Sequence, residues 1–225
     1  MSARPDKVLN SPAVRRLPSY LHWLLRMQSI GKRTVSTTEL ADCMKLGWIV
    51  VRKDIALTGV SGRPRVGYDV DRLVAAIRAF LGWERTRPAA LFGAGALGEA
   101  VLGFAESGTS GIRIDAVFDG DPARVGASVR GRTVLPLSEL PAAFRRDPPE
   151  IAVLCVPAET AQDLADRVVR LGVRAIWNFA ATALEVPEGV VVQREDLAGG
   201  FATLSAKLLD ARPARRRKTR RTSRT

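Results

Sequence analysis

One histidine and two cysteines among 225 residues leave this chain short of the side chains that most often carry proton transfer, metal binding and thiol chemistry. Cys43 and Cys155 stand far apart, without C-x-x-C or metal-ligand spacing, so no metal site and no redox pair are expected, only two buried thiols. No apolar run reaches the roughly 18 residues of a membrane span. The polar N-terminus also lacks the apolar segment of a secretory signal, so the expectation is a cytoplasmic chain without membrane contact. No internal repeat is found, which argues against a solenoid.

Acidic residues are missing where the chain ends: residues 211–225 hold eight Lys/Arg and no Asp/Glu. That segment contributes +8 to a formal net charge of +12, residues 1–86 contribute +8, and residues 87–210 contribute −4. An N-terminal module this basic, joined to a mildly acidic second module, suggests a polyanion bound at one end only. A solvated arginine-rich surface is the bland alternative. Residues 1–11 and 211–225 carry too few large apolar side chains to repay ordering, and both are expected to be disordered.

Between these ends, Pro12 to Ile30 repeats Val14, Leu17, Leu21, Leu24 and Leu25 at helical spacing. Ser36-Thr37-Thr38-Glu39 is a capping box, in which the serine hydroxyl covers a free N–H and the glutamate reaches back; it opens a second helix to about Met44. A glycine-centred turn, Lys45-Leu46-Gly47, leads into a third helix from Trp48 to about Leu57, which makes a helix-turn-helix. Val50, Val51, Ile55 and Ile49 are placed toward the core, with Arg52 and Lys53 projecting elsewhere. Residues 59–68 bound Arg63 and Arg65 with glycines and end in Val66 and Tyr68, the pattern of a β-hairpin wing. Asp69 is positioned to cap a closing amphipathic helix, Val70 to Leu81, with Leu73, Ile77, Phe80 and Leu81 inward. Arg52, Lys53, Arg63 and Arg65 lie on the two elements that winged helices place in DNA grooves. A winged helix used for protein contact is the other reading.

The rest of the chain alternates. Strands are expected at 89–92, 112–118, 133–135, 151–156, 173–177 and 189–193, and helices at 96–106, 138–145 and 159–171, which implies a parallel sheet wound on both sides. Gly93-Ala94-Gly95-Ala96-Leu97-Gly98 follows the first strand and opens a helix, and Asp119 closes the second strand. Gly93 permits the tight turn, Gly95 a close approach of backbone to pyrophosphate, and Gly98 close packing of helix on strand. Asp119 is placed to accept from both ribose hydroxyls, and no arginine follows it directly, so NAD(H) is favoured over its 2′-phosphorylated form. A degenerate domain that binds nothing is the alternative. Val156-Pro157-Ala158 and Asn178-Phe179 follow later strands at the carboxyl edge, where a nicotinamide would lie.

A dehydrogenase needs a general acid or base beside the nicotinamide, and the single histidine, His22, belongs to the first helix of the basic module. No Cys–His or Lys–Tyr pair stands in the second module, so no catalytic residue is assigned. Last, residues 197–210 place Leu197, Phe201, Leu204 and Leu208 on one helical stripe, with Ala198, Ala202, Ser205 and Leu209 beside it. An apolar face this wide needs cover on more than one side, from a partner subunit or from the chain's own sheet.

Several segments together resemble the Rex family of redox-sensing transcriptional repressors. Arg16-Leu17-Pro18-Ser19-Tyr20-Leu21, Ser36-Thr37-Thr38-Glu39-Leu40-Ala41, Val51-Arg52-Lys53-Asp54-Ile55 and Val66-Gly67-Tyr68 are similar to the family's winged helix. Gly93–Gly98, Phe118-Asp119-Gly120-Asp121-Pro122, Val156-Pro157-Ala158-Glu159, Asn178-Phe179-Ala180, Val186-Pro187-Glu188-Gly189-Val190 and Asp196-Leu197 match its later motifs, in order, over about residues 14–209. The resemblance implies a homodimer that binds double-stranded operator DNA through Ser36, Thr37, Arg52, Lys53, Arg63, Arg65 and Tyr68, and releases it when NADH replaces NAD⁺. It also implies that the C-terminal helix is exchanged between subunits and that Phe179 lies near the nicotinamide. The family's coupling network joins an arginine, a tyrosine and an aspartate; the matching positions here hold His22, Phe104 and Asp196. Leu46-Gly47-Trp48-Ile49-Val50 replaces the polar residues usual at the start of the family's recognition helix, and Pro64-Arg65 replaces its arginine-glycine in the wing.

The reading is an α/β chain: a winged helix-turn-helix domain (12–85), a Rossmann-like NAD(H)-binding domain (86–195), a C-terminal dimerisation helix (196–210) that is domain-swapped, and a basic tail (211–225). An NAD-dependent oxidoreductase with an appended helical domain, and a relative that binds DNA without redox coupling, are the alternatives.

Overall fold

Pro12 at the head of the first helix, where a missing N–H costs nothing, starts α1 (Pro12–Ser29). The computed structural model describes residues 11–108, 110–145 and 147–210; the expectations for residues 1–10 and 211–225 lie outside them. Leu17, Tyr20, Leu21 and Leu24 of α1 are buried against Leu73, Val74 and Ile77 of the closing helix. Full burial of each such aliphatic side chain stabilises by about 1.5–3 kcal/mol, enough to order a short helical cluster.

The capping box starts α2 (Thr37–Met44), with Glu39 N–H donating to Ser36 Oγ at 3.1 Å and Ser36 N–H donating to Glu39 Oε2 at 2.8 Å. Its end differs from the glycine-centred turn expected of it. Lys45 itself takes the left-handed conformation, φ 51°, and Leu46 N–H closes onto Ala41 O at 3.0 Å while its side chain packs on the core. Gly47 caps α3 (Trp48–Ala56) with ordinary extended backbone. In α3 only Val51, Asp54 and Ile55 are buried. Ile49 and Val50 point outward, 51% and 38% exposed, because the inward stripe is set by Val51 and Ile55 and extended by an aspartate instead of an aliphatic residue.

The wing is short. Arg63 and Gly67 form one antiparallel bridge, and β2 (Tyr68–Asp69) pairs with β1 (Thr34–Val35), a two-residue strand that no alternation announces. Asp69 caps α4 (Val70–Leu81), accepting from Arg72 N–H at 2.8 Å, and Gly82 closes it.

The second part is a seven-stranded sheet in the order β5-β6-β4-β3-β7-β8-β9. These strands are β3 (Arg87–Phe92), β4 (Ile112–Asp119), β5 (Ser128–Val129), β6 (Arg132–Pro136), β7 (Ile151–Leu154), β8 (Ala175–Asn178) and β9 (Val191–Arg194). All pairings are parallel except the edge pair of β5 and β6. The buried run expected at 151–156 stops at Leu154, since Cys155 and Val156 turn out at the carboxyl edge. The helix expected near 138–145 is a 3₁₀ turn, Leu137–Glu139, followed by α6 (Leu140–Ala143), with Pro141 at its start. Helices α5 (Ala96–Glu106) and α7 (Ala158–Arg170) cover the sheet on its two faces, with Leu102 of α5 in one core and Leu164 and Val168 of α7 in the other. The last helix, α8 (Leu197–Asp210), has no buried residue, so its apolar stripe does not pack on the sheet of its own chain. Among the described residues no helix is long and apolar enough to cross a membrane.

Candidate functional site

The chain leaves β3, builds outward through β4 and β6, and returns to place β7 on the other side of β3, so a crevice opens at the carboxyl ends of β3 and β7. Ligands of open parallel sheets sit at such a reversal. The loop Gly93–Gly98 fills its floor. Gly93 has φ 95°, and a Cβ there would stand 2.3 Å from the Cys155 carbonyl oxygen. A Cβ on Gly98 would stand 1.9 Å from the Gly93 carbonyl oxygen, so helix and loop touch backbone to backbone. At Gly95 the same construction meets only Arg124, at 3.9 Å, which leaves the backbone open toward the crevice. No side chain caps α5, whose N-terminal turn includes Ala96 and Leu97 and presents N–H groups beside the loop.

Asp119 lies at the tip of β4, its side chain 13% exposed. It accepts from Ala94 N–H at 2.7 Å and from Asp121 N–H at 2.9 Å, which aims the carboxylate at the mouth of the loop. Arg124 is a residue that sequence reasoning missed. Its guanidinium folds back over the loop, donates to Ala94 O at 3.1 Å and lies 3.9 and 3.6 Å from the carboxylates of Asp119 and Asp121. The only hint in the sequence is its i+3 spacing from Asp121.

Val156, Pro157 and Ala158 lead into α7 across the crevice from the loop. Asn178 is fully buried and both ends of its amide are engaged, donating to Thr182 O and accepting from Ala180 N–H, so it shapes the loop that holds Phe179. Cys155 lies on the same edge, half-buried, and burial pushes its thiol pKa up to about 12. The thiol therefore keeps its proton at neutral pH. Cys43 is exposed, contrary to the expectation of two buried thiols. Phe179 meets Trp177 with tilted rings at 4.8 Å, and Trp177 meets Phe104 edge-on at 6.0 Å, a continuous aromatic path out of the crevice. The Trp177 indole N–H donates to Glu195, the residue before Asp196. An indole in a strand reads as core filler in sequence, which is why its bridging position escapes a periodicity argument.

His22 and Phe104 come together on a cleft of about 460 Å³ between α1 and α5, with Trp23, Cys43 and Trp83. Asp196 is not brought to it within one chain; its carboxylate accepts from Gly199 N–H at 2.8 Å and caps α8.

On the basic module, Thr37, Trp48, Arg52, Arg63 and Tyr68 line a second cleft of about 460 Å³ between α3 and the wing. Lys53 and Arg65 are exposed beside it. Ser36 spends its hydroxyl as a cap acceptor, and the Tyr68 ring is 7% exposed, packed near Gly62. The helix that carries Arg52 and Lys53 is anchored by Asp54, which is 3% exposed. Arg16 Nε and Nη2 donate to Asp54 at 2.7 and 2.8 Å, and Tyr20 O–H donates at 2.8 Å. The bond to Asp54 raises the Arg16 pKa, while burial, and then Asp54, push the Tyr20 hydroxyl upward, so both keep their protons. A charged residue on the inward stripe of α3 is the sequence signal for this anchor.

Pro64 and Arg65 occupy the centre of the wing's turn, closed by Val66 N–H onto Arg63 O at 3.2 Å, and Arg65 has φ 60°. Left-handed backbone costs a non-glycine residue about 1–2 kcal/mol. Glycine there gives back about 0.4–1 kcal/mol through the freer unfolded chain. Arg65→Gly is therefore expected to raise stability by about 0.5–1 kcal/mol. Thermal unfolding checks the sign, and a protein that is less stable contradicts the left-handed assignment.

Comparison with known proteins agrees with both halves. Residues 10–56 match the family model described as "Putative DNA-binding protein N-terminus", and residues 84–182 match the CoA binding domain model. The redox-sensing transcriptional repressor Rex of Treponema denticola is 40% identical over 203 residues, 90% of this chain and 97% of that protein. A crystal structure of RSP, a Rex-family repressor, in complex with β-NAD⁺ and operator DNA superposes with a TM-score of 0.80 at 29% identity over 93% of this chain and 94% of that one. RSP in complex with β-NADH gives 0.75 at 32% identity over 89% and 94%. With a winged helix, a parallel sheet and a dinucleotide-type loop in the same order and over nearly the whole length, this chain belongs to the Rex family of redox-sensing transcriptional repressors.

Proposed function

We propose that the protein is a dimeric repressor that grips operator DNA with α3 and the wing and lets go when NADH occupies the crevice of Gly93–Gly98. One observation carries the reading: a basic helix–wing face and a dinucleotide-type crevice stand in one chain, joined by the aromatic path Phe179–Trp177–Phe104 that ends on the cleft beneath α1. The relatives support it, since RSP is held with NAD⁺ and operator DNA in one structure and with NADH in another. Gly93, Ala94, Gly95, Ala96, Leu97 and Gly98 would cradle the pyrophosphate, and Asp119 would accept from the adenosine ribose. A carboxylate at that position fits a free ribose better than a phosphorylated one, which favours NAD(H) over coenzyme A despite the name of the matching domain model. Val156, Pro157, Ala158 and Phe179 would wall the nicotinamide, with Asn178 holding Phe179 in place.

Ser36 and Thr37 start the helix that crosses the DNA backbone, and Arg52, Lys53, Arg63 and Arg65 meet phosphates and grooves, with Tyr68 supporting the wing. The relatives bear the name of repressors, so we assign no turnover and place the protein with its DNA in the cytoplasm. A labelled duplex selected by the protein from a random pool, titrated at fixed salt with NADH and NAD⁺ in turn, tests the redox reading. NADH is expected to weaken binding about tenfold or more, a shift of ~1.4 kcal/mol, with NAD⁺ much less effective. Equal affinity with NADH, NAD⁺ and neither would support the alternative, a relative that binds DNA without redox coupling.

The partner subunit enters through α8. Leu197, Phe201, Leu204, Leu208 and Leu209 are 54–71% exposed, and contiguous apolar surface of that extent marks a contact with another molecule. We assign its cover to the interdomain cleft of a second copy, which would bring the partner's Asp196 toward His22 and Phe104. Phe201→Asp is expected to convert the dimer to monomer at micromolar concentration, read by sedimentation equilibrium; an unchanged dimer rejects this interface.

A further inference from the structure

We propose that Trp48 and Ile49 read thymine methyl groups in the major groove, an inference that rests on the DNA-binding role proposed above. The first turn of a recognition helix faces the base edges. Here that turn carries Trp48 and Ile49, 56% and 51% exposed, on a helix whose inward face is already complete with Val51, Asp54 and Ile55. Trp48 shares its face with Arg52 one turn later, and Ile49 shares its own with Lys53, so each apolar group leads a cation along the groove-facing side. Trp48, Arg52 and Arg63 line one cleft, and the carboxylate nearest in sequence, Asp54, is turned inward onto Arg16 and Tyr20. A surface that is apolar at its centre and cationic at its rim fits a duplex, whose phosphates meet the rim.

Base chemistry then selects the centre. Guanine and adenine present polar groups on the major-groove edge and cytosine adds no more than a C5–H, whereas thymine carries a methyl beside its O4 acceptor. An isoleucine gains nothing from the polar edges and would strip water from them without replacing its hydrogen bonds. It gains from a methyl. The operator half-site therefore holds thymine opposite the start of α3, and these two side chains set specificity there.

The test uses the full-length protein and a duplex it selects from a random pool, rebuilt with deoxyuridine in place of each half-site thymine so that only the methyl is removed. One or two of these changes are expected to weaken binding about fourfold each, the factor that corresponds to burying one methyl group. In Ile49→Ala or Trp48→Ala proteins the change at the thymine that the deleted side chain reads is expected to cost nothing, because the partner of that methyl is already gone. Both side chains are exposed, so their replacement leaves the fold intact, which an unchanged melting temperature verifies. Selected half-sites without thymine, a wild type indifferent to deoxyuridine, or a loss that persists in both variants overturns the proposal while leaving DNA binding itself standing. A pool that yields no preferred duplex removes the DNA-binding role and this proposal together.

Discussion

A Gly98→Ala protein is expected to bind NADH about a hundredfold more weakly than wild type, or not measurably, a loss of ~2.7 kcal/mol or more. The added Cβ would lie 1.9 Å from the Gly93 carbonyl oxygen, so either α5 retreats from the sheet or the loop deforms. Overpacking of this kind costs about 1–3 kcal/mol where a flexible side chain can yield. Here the obstacle is backbone, and it belongs to the turn that would hold the pyrophosphate, so the cost falls on binding as well as on folding. Operator affinity without nucleotide is expected to survive, because the core around Leu17, Ile55 and Ile77 shares no residue with the cores of the sheet. Calorimetry with NADH, with circular dichroism as the folding control, decides the matter. NADH affinity within a few-fold of wild type in a folded Gly98→Ala protein would show that the loop is not the nucleotide cradle.

The second large effect is expected at Asp54. Removing its carboxylate leaves the Tyr20 hydroxyl fully buried without its acceptor, at about 1–3 kcal/mol, and frees the Arg16 guanidinium, whose side chain keeps 32% of its exposure and is partly relieved by water. Breaking a buried pair costs about 3–5 kcal/mol in full, and the exposure of Arg16 puts the expected loss for Asp54→Ala near the lower end. For a chain of this size that corresponds to a fall of roughly 6–12 °C in melting temperature. Because Asp54 sits between Arg52 and Lys53 on the outer face and Val51 and Ile55 on the inner one, the same change should loosen the recognition helix and weaken duplex binding more than it weakens NADH binding. Asp54→Asn keeps an acceptor for Tyr20 and should fall between. A melting temperature within about two degrees of wild type for Asp54→Ala, by the same size scaling, would mean that the triad does not anchor α3.

Elements whose signals are local are legible in the amino-acid sequence alone. The Ser36–Glu39 capping box, Asp69 at the head of α4 and the glycine loop behind β3 each depend on residues three to six positions apart, and each folds as its spacing implies. The alternation of strand and helix over 87–210 is legible for the same reason, although periodicity extends the strand too far, through Cys155 and Val156. Their apolar side chains fit a buried run, and only the turn out of the sheet at Leu154 shows that the run ends at the crevice. Ile49 and Val50 fit the core on pattern alone because a nine-residue helix gives too few turns to fix its inward face. Packing kept Val51 and Ile55 inside, as expected, and added Asp54.

By itself the sequence determined the order of helices and strands along the chain and which chemistry it is short of: one histidine, two cysteines without C-x-x-C spacing, and no apolar run of membrane length. Periodicity, caps and glycine spacing carry that information because they act within a few residues of the chain. Tertiary structure decided the pairings: Asp54 with Arg16 and Tyr20, Arg124 over Ala94, Trp177 between Phe104 and Phe179, and His22 and Phe104 on one cleft. It also decided what stays uncovered, the start of α3 and the whole stripe of α8. Contacts between residues many positions apart depend on how helices and strands settle against one another, and no local spacing encodes that.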